Sequence, residues 1–587
     1  MLPAIKPVII VLLSAVLVCT GVTLAEAQRD GGGRQGAGPR AGGGGGFRNG
    51  GAGPDGRGGV DFPGGRGGRG QQVQGTASIR GLVTSTDTNS PVRRAQVRAT
   101  SPDTRSARLG TTDADGRFEL KDLPAGRWTI SVTKGGFVTQ QFGQRHPFEA
   151  VEPIALAEGQ RFTANFTLSR GSVITGRVSD EFGDPITGAR VQVLRSQVQQ
   201  GRRRLAPTGN GAQTDDTGAF RVFGLAPGDY YVAASLQAAP ADSSDNPVSY
   251  APTYFPGTGN VADAQRITLT LGVEQPGINF VLQPVRAVRV SGTVVDSNGA
   301  PAQALLNLTA TAFAGEGGLQ MGNQMRVLPD GTFSILNVVP GDYVLTATGR
   351  PNGNNATPEV ASTTFTVGND DLTGISIAMG KGGSIRGTVT ADNNGKIQTT
   401  NIQVSVQPVR QMPGAFLPRT QVSSAGTFEL NGLIGAQVLR VDRLPDGWIV
   451  KSIRANGQDI TDTALEFRGA ESANVQVVLT NRISEISGTV KANGQAVTSA
   501  SVVLFPEDPA QWVFPSRRIR MVRLDDTGVF RARSLPPGER YLALAVDYLE
   551  QGEFQDPAFL ERMKGRATAF SINEGENKTL DLTLIQR

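Results

Sequence analysis

The sequence holds few side chains that could do chemistry, and they are isolated from one another. It contains a single histidine, His146, within Gln144-Arg145-His146-Pro147, and a single cysteine, Cys19. A Ser-His-Asp hydrolase would have to use His146, but no Gly-x-Ser-x-Gly turn that would present a serine occurs. The His-Glu-x-x-His pattern of zinc hydrolases does not occur either. The sequence therefore predicts no enzyme, no cofactor and no metal site, with His146 in a surface loop.

Acidic residues recur before a glycine, and they allow two interpretations. Examples are Asp113-Ala114-Asp115-Gly116, Asp215-Asp216 and Asp525-Asp526. Ca²⁺ takes about six to eight oxygen ligands, and these segments lack the distal glutamate of an EF-hand loop. Aspartate also closes turns by accepting hydrogen bonds from the backbone two residues on. We expect ordinary turns, because Ser423-Ser424-Ala425 fills the same place without an acid.

These turns belong to a phrase that returns five times along the chain. It runs from a turn that ends in glycine, Asp-x-x-Gly in three of the copies, through a short strand to a Pro-Gly turn and an aromatic residue in most copies. Its opening glycines lie 102, 113, 95 and 102 residues apart: Gly116, Gly218, Gly331, Gly426 and Gly528. Such a period is that of a small domain rather than of a solenoid repeat. The fourth copy departs most, since Ile434-Gly435-Ala436-Gln437 replaces the Pro-Gly turn.

Each phrase is flanked by short alternating segments that are typical of β-strands. Upstream lies an apolar-x-Gly-x-Val segment, centred on Gly81, Gly176, Gly292, Gly387 and Gly488. Turns follow, as at Asn493-Gly494, where both residues tolerate a positive φ. Alternation with period two predicts half-buried antiparallel strands. About seven strands per copy predict a β-sandwich, in which Gly228 and Gly341 take positive φ after their prolines.

The order of these strands and turns, with Asp-x-x-Gly-x-Phe and Pro-Gly-x-Tyr, resembles the carboxypeptidase regulatory-like domain. The resemblance covers roughly residues 77–587. It implies an all-β chain, a tandem array of five transthyretin-like Greek-key β-sandwich domains after a disordered Gly/Arg-rich tail. It implies no peptidase, because the zinc-binding catalytic domain is absent from the sequence. The predicted domains are residues 77–170, 171–285, 286–381, 382–482 and 483–587.

The first 76 residues differ in composition from the rest. Lys6, the apolar run Val8 to Val18 and Ala25-Glu26-Ala27 have the pattern of a signal peptide over residues 1–27. Residues 28–76 are glycine-rich, with seven arginines and three aspartates, which predicts a disordered basic linker. The protein is expected to be secreted, periplasmic or at the cell surface after cleavage near Ala27. No transmembrane span is expected in the mature chain.

Starch-binding-like relatives of this fold stack sugars on exposed aromatic rings, which makes loop aromatics the candidate binding residues. Trp128 fills the same place as the tyrosines that follow the other Pro-Gly turns, so we expect it in a core. The candidates for an exposed platform lie outside the repeated strands: Trp448, Trp512, Tyr250, Tyr254 and Phe255.

One helix is predicted in the last domain. Asp556 is a candidate N-cap, Pro557 stands at the first helical position, and Gly565 follows the last turn. Phe559, Leu560 and Met563 share one face, which we expect to dock on the sandwich and protect a sheet edge.

The sequence as a whole favours an exported, non-catalytic protein that acts as a cell-envelope spacer, adhesion module or interaction scaffold. The alternative is a carbohydrate-binding protein that uses the loop aromatics. The expected partner is a polysaccharide or a cell-surface protein. The Arg-Gly-Gly segments at residues 64–70 resemble those of RNA-binding proteins. Nucleic acid is nevertheless not expected as a partner, because an exported protein is separated from RNA. The oligomeric state stays open.

Overall fold

The computed structural model describes residues 75–104, 106–236, 248–310, 323–350, 358–393, 395, 397–409 and 417–587. The predicted signal peptide, and the predicted linker up to residue 74, lie outside the described residues. Gln71–Arg587 form one compact unit. Its described part consists of β-strands with a few short helices, and it folds as tandem β-sandwiches, which confirms the predicted fold class.

The first sandwich shows the pattern that the copies share. Its strands are β1 (Ala77–Ser85), β2 (Gln96–Ser101), β3 (Ser106–Thr111), β4 (Arg117–Leu123), β5 (Gly126–Thr133), β6 (Gln140–Gln141), β7 (Ile154–Leu156), β8 (Arg161–Thr163) and β9 (Phe166–Leu168). One sheet is built on β4-β1-β8 and the other on β3-β2-β5-β6. β1 is antiparallel to β4 but parallel to β8 and β9. The antiparallel pairing predicted for the alternating strands is found, as for β2 with β3 and β5, whereas the first and last strands run side by side in the same direction.

The second sandwich repeats this pattern and adds an insertion. Its strands are β10 (Ser172–Ser179), β11 (Arg190–Gln199), β12 (Arg202–Pro207), β13 (Ala212–Gln213), β14 (Ala219–Leu225), β15 (Gly228–Ser235), β16 (Val248–Ala251), β17 (Thr253–Tyr254), β18 (Ile267–Leu269), β19 (Glu274–Gln275), β20 (Phe280–Val281) and β21 (Gln283–Arg286), with a 3-10 helix at Val261–Asp263. The inserted β16 pairs with β21. A small second cluster of buried residues, which includes Leu194 and Tyr254, lies outside the main core.

The third sandwich is the plainest copy. Its strands are β22 (Val288–Val295), β23 (Ala304–Ala310), β24 (Asn323–Arg326), β25 (Thr332–Val338), β26 (Gly341–Gly349), β27 (Val360–Val367) and β28 (Leu372–Ala378). Its sheets have the orders β25-β22-β28 and β24-β23-β26-β27. One core, which contains Leu306, Phe333 and Leu345, lies between them.

The fourth sandwich departs most from the pattern. Its strands are β29 (Gly383–Ala391), β30 (Gln403–Pro408), β31 (Arg419–Gln421), β32 (Thr427–Leu433), β33 (Gly435–Asp442), β34 (Ile449–Ala455), β35 (Gln458–Asp459), β36 (Leu465–Phe467) and β37 (Ser472–Thr480). β29 and β37 form an uninterrupted parallel ladder from Ser384 to Ala391. β34 extends that sheet, which has the order β32-β29-β37-β34-β35.

The fifth sandwich contains a second core. Its strands are β38 (Glu485–Ala492), β39 (Gln495–Ala496), β40 (Ser501–Pro506), β41 (Arg520–Arg523), β42 (Val529–Arg533), β43 (Arg540–Val546), β44 (Thr568–Ser571), β45 (Asn577–Thr579) and β46 (Leu582–Ile585), with 3-10 helices at Pro509–Gln511 and Glu553–Gln555 and the helix α1 at Pro557–Lys564. Every residue of β40 is buried, and so is β43 after its first residue. One face of these two strands therefore packs on the sandwich core and the other on a separate apolar cluster.

The helix α1 forms as the sequence predicts. The Asp556 carboxylate accepts a hydrogen bond from the Ala558 N–H at 3.1 Å, and Phe559, Leu560 and Met563 are buried. These apolar residues pack in the second cluster with Val503 of β40 and its neighbours. The prediction that the helix protects a sheet edge is wrong, because it covers the outer face of β40 and β43.

Recurring glycines in the first strand are explained by a close approach of neighbouring atoms, which are backbone atoms in four copies and the side chains of Phe428 and Val475 at Gly387 in the fourth. A β-carbon at Gly81 would lie 1.8 Å from the Ala164 carbonyl oxygen, in the interruption between β8 and β9. At that interruption the Asn165 side chain accepts a hydrogen bond from the Leu82 N–H at 3.0 Å. In the second and fifth copies, the side chains of Asn279 and Asp581 likewise accept a backbone hydrogen bond in place of a carbonyl oxygen.

The residue after the Pro-Gly turn is a buried anchor, as expected for Trp128. Its indole N–H donates to the Pro124 carbonyl oxygen at 3.0 Å. Tyr230 and Tyr343 donate in the same way to the carbonyl oxygens of Ala226 and Val339, and burial raises the pKa of both phenols to about 12. In the fourth copy the Gln437 side chain donates to the Ile434 carbonyl oxygen at 2.7 Å. An amide thus replaces the aromatic ring where the Pro-Gly turn is lost.

Candidate functional site

Two of the five predicted binding aromatics lie in cores. Tyr254 is fully buried in the small cluster of the second sandwich, and this burial raises its pKa to about 12. Trp512 keeps 9% of its surface exposed, and its indole N–H donates to the Pro506 carbonyl oxygen at 2.8 Å. The prediction that both rings form an exposed platform is wrong, because the insertions that carry them fold back as extra layers.

The other three candidates are half-buried, with Tyr250 and Phe255 in the second sandwich and Trp448 in the fourth. Phe255 packs edge-on against Phe280, with ring centroids 6.2 Å apart. The Tyr250 hydroxyl donates a hydrogen bond to Glu181 at 3.3 Å. Partial burial, and after it the charge of Glu181, raise the pKa of the Tyr250 hydroxyl. Trp448 packs against the core of the fourth sandwich. The structure does not bring the five residues together, and binding by these three stays a prediction.

The acidic segments are turns, as the sequence predicts. The Asp215 carboxylate accepts hydrogen bonds from the backbone N–H groups of Thr217 and Ala219, both at 2.9 Å. Asp525 accepts from Thr527 and Val529 in the same way, at 3.0 Å. In the fourth copy the Ser423 hydroxyl oxygen accepts from the Thr427 N–H at 3.1 Å. Within the described residues, no group of three His, Cys, Asp or Glu side chains could hold a metal ion.

The first, second and fifth sandwiches meet at a junction that was not predicted from the sequence. The chain segments around Phe148 and Gln551 pair as short antiparallel backbones. The Ala150 N–H donates to the Leu549 carbonyl oxygen, and the Gln551 N–H donates to the Phe148 carbonyl oxygen, both at 3.0 Å. Backbone groups of the first and fifth sandwiches are therefore joined directly. We call this region, which also includes Arg195 of the second sandwich, the 1-2-5 junction.

Glu149 is the central charge of the 1-2-5 junction. Its side chain is fully buried and accepts hydrogen bonds from the backbone N–H groups of Arg145 and His146 at 2.7 and 3.0 Å. The guanidinium groups of Arg145 and Arg523 lie 3.3 and 3.7 Å from it. His146 itself is exposed in a loop, as predicted, and stacks on Tyr548 of the fifth sandwich with centroids 4.2 Å apart.

Two further ion pairs join the second and fifth sandwiches. Arg195 contacts Glu550 at 2.5 Å and also lies over the Phe148 ring, 3.7 Å from its centroid. Arg203 contacts Asp556, the N-cap of α1, at 2.6 Å. This bond raises the pKa of Arg203. Asp556 therefore caps α1 in the fifth sandwich and also binds Arg203 of the second.

The fourth and fifth sandwiches share a second charged contact. Asp462 of the fourth is surrounded by three guanidinium groups: Arg440 of its own sandwich, and Arg517 and Arg518 of the fifth. Arg517 also donates to the Val450 carbonyl oxygen at 2.8 Å, and Arg440 to that of Pro515 at 3.1 Å. Sequence reasoning missed both contacts because each joins residues that are distant in the chain. The one local signal was the run of arginines at Arg517, Arg518 and Arg520.

None of the helices in the described part of the chain is long and apolar enough to cross a membrane. A search of curated proteins found no match. Three solved structures are similar at low TM-scores. They are a streptococcal ancillary pilin (15% identity, 51% of this chain and 99% of that chain, TM-score 0.20), the minor pilin GBS52 of Streptococcus agalactiae (11%, 36% and 97%, 0.18) and the major pilin BcpA of Bacillus cereus (12%, 52% and 99%, 0.14). Likeness at these scores carries no conclusion about function.

A family comparison gives a clearer result for the first part of the chain. Residues 78–169 and 173–282 each match the model of the carboxypeptidase regulatory-like domain. These ranges lie within the first two sandwiches. The three that follow repeat the positive-φ glycine of the first turn (Gly331, Gly426 and Gly528) and the first-strand glycine (Gly292, Gly387 and Gly488). The first two sandwiches are therefore similar to the carboxypeptidase regulatory-like domain.

Proposed function

We propose that this chain is a non-catalytic interaction scaffold of the cell envelope, in which the fifth sandwich fixes the positions of the first, second and fourth. The 1-2-5 junction is the observation that carries the proposal. The signal-peptide pattern in residues 1–27 supports export. The Asp-x-x-Gly acids serve as turn caps, as Asp215 and Asp525 do.

The contacts of the fifth sandwich favour a scaffold over a spacer. A spacer needs contacts only between neighbours in the chain, since its purpose is to extend. Here Glu550 and Asp556 pair with arginines of the second sandwich, and Leu549 bonds to the first. Arg195 and Asp556 are largely withdrawn from water, so removal of the partner of either would leave a poorly hydrated charge unpaired. Fixed relative positions let several domains present one surface to a partner.

The carbohydrate-binding alternative loses two of its five predicted contacts, because Tyr254 and Trp512 are buried. Trp448, Tyr250 and Phe255 retain partial exposure but lie in two different sandwiches. They do not make a second candidate function on their own.

The test is a charge reversal at the junction in the full chain. Arg195→Glu should separate the second and fifth sandwiches, increase the radius of gyration in X-ray scattering and reduce retention on isolated cell-envelope fractions. The double variant Arg195→Glu/Glu550→Arg should restore both properties. Arg127→Glu is the matched control, because its partner Asp103 lies in the same sandwich and both side chains are solvent-exposed. Absence of envelope retention in the unmodified chain would contradict the proposal.

A further inference from the structure

The third sandwich ends one of its sheets with an edge strand that differs from its counterparts. β27 is the outermost strand of the sheet β24-β23-β26-β27 and is eight residues long. Natural proteins keep exposed edge strands short, or place charges or prolines on them, because free backbone groups pair with other chains. Strands that occupy this position in the other sandwiches are two to four residues long: β6, β7, β17, β18, β36 and β44.

β27 also lacks charges and prolines. From Val360 to Val367 it consists of Val, Ala, Ser, Thr and Phe. The strand at the opposite edge of the corresponding sheet carries at least one arginine in every sandwich: Arg108, Arg202, Arg326, Arg419 and Arg520. β27 is therefore an edge without the usual protection against pairing.

The register shows which backbone groups of β27 point away from the sheet. The Gly349 N–H donates to the Glu359 carbonyl oxygen at 2.8 Å, just before β27 pairs with β26. Alternate residues of an antiparallel pair bond to the neighbouring strand. The odd-numbered residues of β27 therefore bond to β26, and the even-numbered residues face outward. Val360 agrees with this, because it exchanges hydrogen bonds with Gly380 on the outer side, at 2.8 and 3.1 Å.

The free edge consists of Ser362, Thr364 and Thr366. Their side chains are exposed. Their backbone N–H and carbonyl groups have no hydrogen-bond partner among the described residues. Phe365 lies between two of them, half-buried, with its ring stacked on Tyr343 at a centroid distance of 6.3 Å. The edge thus offers unpaired backbone groups beside a partly covered aromatic ring.

We propose that β27 pairs with β27 of a second copy of this chain, antiparallel about a two-fold axis at Thr364. This register places Ser362 opposite Thr366 of the second copy and Thr364 opposite itself. Every outward backbone group of these residues then gains a partner. A two-fold contact brings one surface against itself, so any charge on the edge would meet its like. The absence of charge from β27 suits this partner.

The charges beyond the two ends of β27 are complementary in such a pair. Asp370 follows the strand, and its side chain is 98% exposed. Lys381 lies at the other end, next to the Gly380 that bonds to Val360, and it is exposed without an ion pair among the described residues. Glu359 lies at that end too, but Ser297 donates hydrogen bonds to it. Antiparallel pairing brings Asp370 of each copy toward Lys381 of the other.

The pairing goes beyond the scaffold function, which concerns contacts within one chain. The Arg195→Glu variant leaves β27 intact, and changes in β27 leave the 1-2-5 junction intact. Either idea can therefore fail while the other stands.

The first measurement is the mass in solution of the chain expected after cleavage near Ala27. Light scattering after size exclusion should give a dimer at concentrations up to about 0.1 mM, since a small interface is weak. Thr364→Lys should weaken dimerisation by about tenfold or more, because like charges directly opposite repel. Thr364→Glu should do the same, and an equimolar mixture of the two variants should associate again. Thr568→Lys is the matched control, because Thr568 is exposed on β44, the corresponding edge of the fifth sandwich.

Cysteine cross-linking tests the register. The cleaved chain contains no cysteine, because Cys19 lies within residues 1–27. Thr364→Cys should give a disulfide-linked dimer under mild oxidation, because opposite residues of a hydrogen-bonded pair have Cα atoms about 5.5 Å apart. Ser362→Cys alone should not cross-link, whereas Ser362→Cys/Thr366→Cys should. Thr568→Cys is the control and should stay monomeric.

Each outcome decides the proposal. A chain that is monomeric at every concentration would overturn it and leave the edge to a strand of a different protein. A dimer that survives Thr364→Lys, or that Thr364→Cys does not cross-link, would place the interface elsewhere. Species that grow beyond a dimer with concentration would contradict a closed two-fold pair. Melting curves check that the variants fold, which the exposure of Thr364 leads us to expect.

Discussion

The third and fifth sandwiches are built from the same repeated phrase, but only the fifth holds others in place. The third has one core, and its β27 alternates between half-buried and exposed residues between the buried Val360 and Val367. In the fifth, β40 is buried throughout, and α1 covers its outer face.

The difference lies in an insertion, not in the repeated strands. Residues 547–566 follow β43 in the fifth copy and carry α1, Glu550 and Asp556. Their apolar side makes the second core, and their charged groups reach Arg195 and Arg203. The repeated phrase thus specifies a sandwich, whereas the insertion specifies which sandwiches contact one another.

The largest expected effect tests this division. Phe559→Ala removes a fully buried ring from the second core and should lower the free energy of unfolding of the fifth sandwich by about 3–5 kcal/mol. It should also increase hydrogen exchange at Ala150 and Gln551. Phe333→Ala in the third sandwich should cost a similar amount but leave exchange at the junction unchanged. Equal exchange in the two variants would contradict the division.

A shared feature should respond equally in both copies. A β-carbon at Gly292 or at Gly488 would lie 1.9 Å from the carbonyl oxygen of Ile375 or Leu580. Gly292→Ala and Gly488→Ala should each destabilise their sandwich by about 1–3 kcal/mol, because the neighbouring backbone must move. Denaturant unfolding followed by hydrogen exchange measures each copy separately. Unequal costs would show that the repeated strand is not equivalent in the two.

The Pro-Gly turn should show a smaller effect. Gly341 has φ 153° and Gly228 has φ 150°, as predicted, a conformation that side chains with a β-carbon rarely adopt. Replacement of either by valine should cost about 1–2 kcal/mol in thermal unfolding. Gly368→Val in the third sandwich is the control, since a β-carbon there meets nothing within 4 Å. If Gly341→Val melts like the control, the turn is not under this constraint.

The smallest effect concerns the acidic turns. Hydrogen bonds from the hydroxyl groups of Thr332 and Thr527 lower the pKa of Asp330 and Asp525 below the ordinary 3.8. Their stabilising contribution is therefore complete above pH 3.8 and is lost as the pH falls through the lowered pKa. Melting curves at decreasing pH should show this loss equally in both copies, and it should be absent after Asp→Asn replacement. A chelator should leave the curves unchanged, and a shift would indicate bound Ca²⁺ instead.

Local features of the fold could be predicted from the sequence, and contacts between distant segments could not. The turns at Asp215 and Asp525, the buried Trp128 and the helix α1 each depend on residues within a few positions. Tyr254 and Trp512 were misplaced because a loop aromatic looks the same in sequence whether its insertion is exposed or folds back as a layer. The role of Glu149 could not be predicted, because its partner Arg523 lies in another sandwich.

The parallel pairing of first and last strands has a mechanical consequence. A parallel pair carries the chain in at one end of the sandwich and out at the other, so a pull on both ends shears the ladder along its length. All of its hydrogen bonds then bear load together, whereas an antiparallel hairpin pulled from its open end would unzip them one at a time. We therefore expect the fourth sandwich, with its unbroken ladder from Ser384 to Ala391, to resist tension better than the second, in which β10 pairs with β19 and β20 over a shorter length.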